Sequence, residues 1–167
     1  MNVCTLRLRR AAGALSLGAL ALALVILLRC TGAYVLFAGG TVRRLPVYSV
    51  EREDRKISIT FDCAWGTEHT DAILEVLARE EVRATFFMVE FWAEKYPEYV
   101  KKIDEAGHEI GTHSATHSHM AGMEEARIRE ELRTSSAAIT AVTGKAVTLF
   151  RAPFGEYDDR LVRTAEE

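Results

Sequence analysis

Cysteine is scarce, and its three positions, Cys4, Cys30 and Cys63, are scattered along the chain. Neither a disulfide framework nor a CxxC metal site fits that spacing. An excess of basic charge is also lacking. The formal net charge is -3, and Lys and Arg are interleaved with Asp and Glu, which argues against a dedicated nucleic-acid binder. There is no internal repeat and no low-complexity tract. What is present is a chain of 167 residues, 49% hydrophobic and 27% charged, a length that suits one domain with an N-terminal extension.

The extension occupies residues 1–38. Arg7, Arg9 and Arg10 precede an uncharged run of 18 residues, Ala11 to Leu28, and a second apolar patch covers Ala33 to Ala38. A spanning helix takes roughly 20 apolar residues, and the core of a cleaved signal roughly 7–15. The length therefore predicts a retained signal anchor, a transmembrane helix whose basic flank faces the cytoplasm. The chain then reads as a single-pass protein of the cell membrane, with the remainder outside the cytoplasm. Two alternatives stay open: cleavage near Ala38-Gly39-Gly40, giving a secreted protein, and a buried helix in a soluble core. Leu27-Leu28-Arg29-Cys30 matches a lipoprotein box poorly, because Arg directly precedes the cysteine.

Residues 39–55 read as a linker and entry segment, with Pro46 limiting regular structure. From 56 to 167 strand-like and helix-like segments alternate. Lys56–Phe61 alternates apolar and polar side chains and predicts a strand. Asp71–Arg79 places Ile73, Leu74 and Leu77 on one helical face. Ala84–Val89 is a short β-rich run. Pro97 suits the first turn of a helix reaching Ala106, and Gly107 its C-terminal cap. His108–Gly111 reads as a brief strand, and Ile128, Leu132, Ile139 and Val142 mark a long helix closed by Gly144. Thr148–Arg151 is a further strand candidate, and a helix starts at Asp158. This βαβα order predicts an α/β domain with a parallel sheet, open or closed into a barrel, with chemistry at the C-terminal ends of the strands.

Three clusters fall at such ends: Thr60-Phe61-Asp62-Cys63-Ala64-Trp65-Gly66, His113-Ser114-Ala115-Thr116-His117, and Arg151-Ala152-Pro153-Phe154-Gly155. His113 and His117 lie four apart, so on one helical turn both imidazoles face a single ion, and neutral imidazole suits zinc and its first-row neighbours. The plainer reading is a pair of polar loop histidines. His69, His108 and His119 read as surface residues. Asp62 ends an apolar strand, where a carboxylate is either a turn or capping residue or a general base beside an activated water. Arg151 either pairs with that carboxylate and orients it, or makes an ordinary surface ion pair. Pro153 and Gly155 fix the loop's path, and Phe154 forms part of the pocket wall.

Together these clusters resemble the motifs of the NodB-type polysaccharide deacetylases, carbohydrate esterase family 4: T-F-D-D, H-[ST]-x-x-H and R-x-P-[FY]-G. The F-D-x-x-W-G stretch at Phe61–Gly66, the run Ala84–Val89 and Gly111-Thr112-His113-Ser114 are most similar to the PdaB-like sporulation members. The similarity runs from about Val47 to the last residue. It implies a distorted (β/α) barrel with seven or eight strands, Asp62 as catalytic base, Arg151 as its orienting partner, and His113 and His117 as ligands of a divalent metal, zinc with cobalt or manganese as alternatives. It also implies hydrolysis of N-acetyl groups on a cell-wall or spore-cortex glycan of the peptidoglycan type, releasing acetate.

Two departures stand out. The second Asp of T-F-D-D, a metal ligand in the family, is Cys63 here; it either ligates as thiolate or is a small buried structural residue. The family's two later motifs, an Asp- and Trp-containing stretch and an L-x-H whose histidine acts as general acid, do not occur in this sequence. The expectation is a domain incomplete at its C-terminus and inactive by itself. The competing readings are a catalytically weak or inactive carbohydrate-binding or spore-assembly protein of the same fold, and a deacetylase of a small molecule or peptide.

Overall fold

The alternation of apolar and polar side chains that predicts strands also decides where they pack. A computed structural model of the chain describes Leu20, residues 22–27 and residues 43–167. Strand β1 is Thr60–Cys63, β2 Thr85–Met88 and β3 Glu109–Thr112. They form a parallel sheet in the order β1-β2-β3, with Asp62, Phe87 and Gly111 side by side in one row across it. Between and after them lie α1 (Thr70–Arg79), α2 (Glu90–Lys95), α3 (Pro97–Glu105), α4 (Glu125–Thr143) and α5 (Asp159–Ala165). The α/β class and the parallel sheet agree with the sequence reading.

Because successive strand residues point to opposite faces, Phe61, Cys63, Phe86, Met88 and Ile110 share one face. There they meet Leu74 and Leu77 of α1, Trp92 of α2, Val100 and Ile103 of α3 and Ile139 of α4, the larger core. Met120, Ile128 and Leu161 make a smaller one, joined by Leu132, Phe150 and Tyr157. The opposite face carries Asp62, Phe87 and Gly111. Gly111 is obligatory for a steric reason: a Cβ there would lie 2.7 Å from the ring of Phe87 and 2.9 Å from the carbonyl oxygen of Leu149.

Several boundaries differ from the sequence reading. Lys56–Ser58 is not part of the ladder; β1 begins where Thr60 meets Thr85, Ile59 contributes only its carbonyl, which accepts from the Thr85 N–H at 3.1 Å, and Ile57 is exposed. Alternation alone does not make a strand without a neighbour to pair with. Thr148–Arg151 contributes one parallel bridge, Phe150 to Thr112. The Thr112 N–H donates to Leu149 and the Arg151 N–H to the Thr112 carbonyl, at 2.8 and 3.0 Å, so this segment extends the sheet beyond β3. Helix α2 was not expected. Gly107 and Gly144 adopt left-handed backbone after α3 and α4, as their capping roles require, and Asp158 caps α5 by accepting from the Leu161 N–H at 2.8 Å. No helix among the described residues is long and apolar enough to cross a membrane; most of the expected span, Ala11–Leu28, lies outside the described residues.

His69 is exposed, as expected, but His108 is not a surface residue. It is 7% exposed, packs on the Phe86 ring with centroids 5.3 Å apart, and accepts from the Ala84 N–H through Nδ1 at 3.3 Å. Burial, with Arg83 nearby, pushes its pKa below the usual histidine value. The unfolded chain therefore takes up this proton first. The neutral ring's contribution to stability is full above about pH 6.5 and is lost as pH falls through and below that value. Urea denaturation from pH 8 down to pH 5 is expected to show this decline, and His108→Gln to make it shallower, leaving the part that buried His113 contributes.

Candidate active site

On the face opposite the larger core, the ring of Phe87 occupies the space left by Gly111, and the guanidinium of Arg151 lies over that ring, 4.2 Å from its centroid. From there Arg151 donates to Asp62 Oδ1 at 2.8 Å through one terminal nitrogen and to Thr60 Oγ1 at 2.7 Å through the other. The expected pairing of Arg151 with Asp62 is thus present. Asp62 Oδ2 lies 4.0 Å from His113 Nε2.

His113 and His117 come together differently from the helical turn their spacing suggests. Residues 113–117 form a loop in which Ser114 and His117 have positive φ, 72° and 54°. The bonds a helix would make are replaced. Ser114 Oγ accepts from the His117 N–H at 3.0 Å. Glu131 of α4, 1% exposed, accepts from the Ala115 and Thr116 N–H groups at 3.0 and 2.8 Å and from the Thr116 hydroxyl at 2.9 Å, and is paired with Arg127. Behind the loop, the hydroxyls of Thr112 and Ser135 share a hydrogen bond, and Thr112 Oγ1 also accepts from the Ser114 N–H. The two imidazoles end with centroids 5.0 Å apart.

The donor chemistry fits a divalent first-row ion through these two rings. His113 Nδ1 is 2.8 Å from the Arg151 carbonyl oxygen, and as donor there it leaves Nε2 unprotonated, the form a ligand needs. Burial lowers the His113 pKa against the opposing pull of that carbonyl and of Asp62, which favours the neutral ring. Cys63 does not join them. Its side chain packs on the core face opposite Asp62, and burial, with Asp62 next to it, pushes its thiol up to about 12. Among the described residues no three of His, Cys, Asp or Glu are grouped to hold an ion.

Aromatic rings border the histidines. Phe154, itself at φ 61°, stacks edge-on to His117 at 4.9 Å and lies flat against His119 at 4.0 Å. His119 is exposed, as expected, and pairs with Glu156 at 2.8 Å. Pro153 is buried, and Gly155 has φ 68°, so the turn after Arg151 follows the path its residues require.

Residues 49–167 match the family model described as polysaccharide deacetylase. The chain belongs to the polysaccharide deacetylase family. It is 33% identical over 112 residues to a peptidoglycan-N-acetylglucosamine deacetylase of Bacillus cereus, 67% of this chain and 41% of that protein. It is 29% identical to the peptidoglycan-N-acetylmuramic acid deacetylase PdaA of Bacillus subtilis, covering 66% of this chain and 43% of the other. Among solved structures, a CE4 family pseudoenzyme from Bacillus anthracis is similar with a TM-score of 0.66 at 33% identity, covering 68% of this chain and 41% of that one. A family 4 carbohydrate esterase from Streptomyces lividans, in complex with acetate, matches with a TM-score of 0.61 at 30% identity, covering 65% and 56%. The chain spans less than half the length of the first curated relatives it matches.

Sequence reasoning brought Asp62, Arg151, His113 and His117 to one place and missed Glu131, Ser135 and Thr112. A signal for Glu131 exists. Ile128, Glu131, Ser135 and Ile139 are the buried positions of α4, so an acidic side chain sits on the stripe that faces the core. Glu131→Ala leaves two N–H groups, one hydroxyl and Arg127 without their acceptor. A loss of about 3–5 kcal/mol is expected in chemical denaturation, against a near-silent Glu130→Ala on the exposed side.

Proposed function

We propose that this chain carries the base and the histidine pair of a deacetylase that hydrolyses N-acetyl groups on a peptidoglycan-type polysaccharide. The observation that carries the reading is the placement of the Asp62 carboxylate between Arg151 and His113. A divalent ion on His113 and His117, zinc foremost with cobalt or manganese as alternatives, would supply polarisation of the acetamide carbonyl and a lowered pKa for water. The chain's own groups do the rest. Arg151 and Thr60 fix the orientation of the base, leaving Asp62 Oδ2 to accept the proton of the attacking water. Water adds to the acetyl carbon, the proton held on Asp62 passes to the amide nitrogen as the C–N bond breaks, acetate leaves, and the sugar keeps a free amine.

A second reading, a weak or inactive carbohydrate-binding protein of the same fold, is favoured by one observation: Cys63 lies on the core face where the family motif carries a ligand. The resemblance to a pseudoenzyme of known structure supports it too. The reading also extends to matters of setting: a closed barrel of seven or eight strands in the whole protein, a role in sporulation, and an N-terminal anchor holding the domain outside the cell membrane. The charge pattern of residues 7–28 supports the anchor.

Two measurements test these statements. Acetate release from N-acetylated glycan oligomers, with zinc, cobalt or manganese added, is expected to fall by about 10²–10⁴ in kcat/KM for Asp62→Asn, with KM little changed. No release and no binding of any of the three ions by the unaltered chain would leave the binding-only reading. Fractionation of expressing cells is expected to place the chain with membranes and to make it sensitive to protease added from outside.

A further inference from the structure

The side of the site away from Phe154 carries an indole that the proposed reaction does not use. Trp65 is 77% exposed, although the backbone around it is held firmly. Ala64 before it is buried, and the carbonyl of Gly66 after it accepts from the buried indole N–H of Trp92 at 2.7 Å. Gly66 has φ 62°, which turns the chain back at that point. The fold thus pins both flanks and presents the Trp65 ring outward.

That ring is part of a continuous row. Phe91 and Trp65 have centroids 5.6 Å apart, Trp65 and His117 6.0 Å, His117 and Phe154 4.9 Å, and Phe154 and His119 4.0 Å. Phe91 is 37% exposed and Phe154 57%. The row passes through His117, so aromatic surface lies on both sides of the histidine pair. A contiguous exposed aromatic strip is costly in water and marks a surface covered in a complex.

We propose that Trp65 and Phe91 form a sugar-ring subsite across His117 from Phe154, so that an N-acetylated glycan chain lies along the row with one residue over Trp65. The occupant follows from chemistry. A pyranose ring offers a flat C–H face that suits the electron-rich face of an indole, while its hydroxyls stay in water. Only an extended chain of such rings would use surface on both sides of the histidines at once. The inference rests on the glycan deacetylase reading.

The test uses the full chain and β-1,4-linked N-acetylglucosamine oligomers, from the disaccharide upward. Trp65 reports directly, because the other tryptophan, Trp92, is buried. Oligomers are expected to shift and quench the exposed indole's fluorescence, with affinity rising with chain length. In calorimetry, Trp65→Ala is expected to bind the longer oligomers about three- to tenfold more weakly and to lose the length dependence, with Trp65→Phe restoring most of it. Phe91→Ala is expected to give a smaller loss. Unfolding of Trp65→Ala at the wild-type denaturant midpoint confirms that the fold is kept. The subsite is overturned if Trp65→Ala binds as the unaltered chain does, if the unaltered chain binds no oligomer, or if the indole responds to phosphatidylcholine vesicles and not to sugar. The two readings fail separately. Oligomer binding that depends on Trp65 with neither acetate release nor binding of zinc, cobalt or manganese removes the hydrolase and keeps the subsite, whereas acetate release indifferent to Trp65 does the reverse.

Discussion

The ring of Phe87 fills the space that any side chain at position 111 would take, and the rest of the site is built on that contact. It gives the Arg151 guanidinium a flat surface to lie on, so a long and flexible side chain is confined before it makes a hydrogen bond. Arg151 then acts in two directions. Its side chain fixes Asp62 and Thr60, and its backbone carbonyl holds Nδ1 of His113. One residue therefore sets the orientation of both the carboxylate and the first imidazole, and their spacing follows from the sheet register that puts Asp62, Phe87 and Gly111 in one row.

The second imidazole depends on a different device. Ser114, His117 and Phe154 all hold left-handed backbone, which for residues other than glycine costs on the order of 1–3 kcal/mol each. Such a loop persists only when its surroundings determine it. Here a buried carboxylate on α4, the Ser114 hydroxyl and the Thr112–Ser135 pair supply bonds that an unstrained helical turn would have made within itself. The strain is concentrated around the histidines, while β1, β2 and β3 beneath them are regular.

Much of this was legible in the sequence, for identifiable reasons. Helical spacing and a short run of β-rich apolar residues depend on nearby residues, so the helix ending at Gly144 and the strand around Phe86 could be read directly. Lys56–Ser58 continues the alternation of β1 and is not in the ladder, because pairing requires a neighbour that local pattern does not encode. The burial of His108 is not legible, since nothing adjacent in the sequence reveals that it packs against Phe86. Residues 113–117 take the loop form of the two readings their sequence allows, because a spacing of four fits a helical turn as well as a strained loop. Cys63 is the clearest case of a decidable point. It follows Asp62 directly in a strand, so the pleat that turns the carboxylate to the site turns the thiol to the core.

That turn has a chemical consequence beyond metal binding. A thiol held protonated up to about 12 carries almost no thiolate at ordinary pH, and thiolate is the form that attacks disulfides and alkylating agents. Its side chain is only partly buried, so the high pKa rather than enclosure is what keeps Cys63 unreactive. The residue that most departs from the family pattern is thus chemically quiet, and an oxidising environment would find little there to react with.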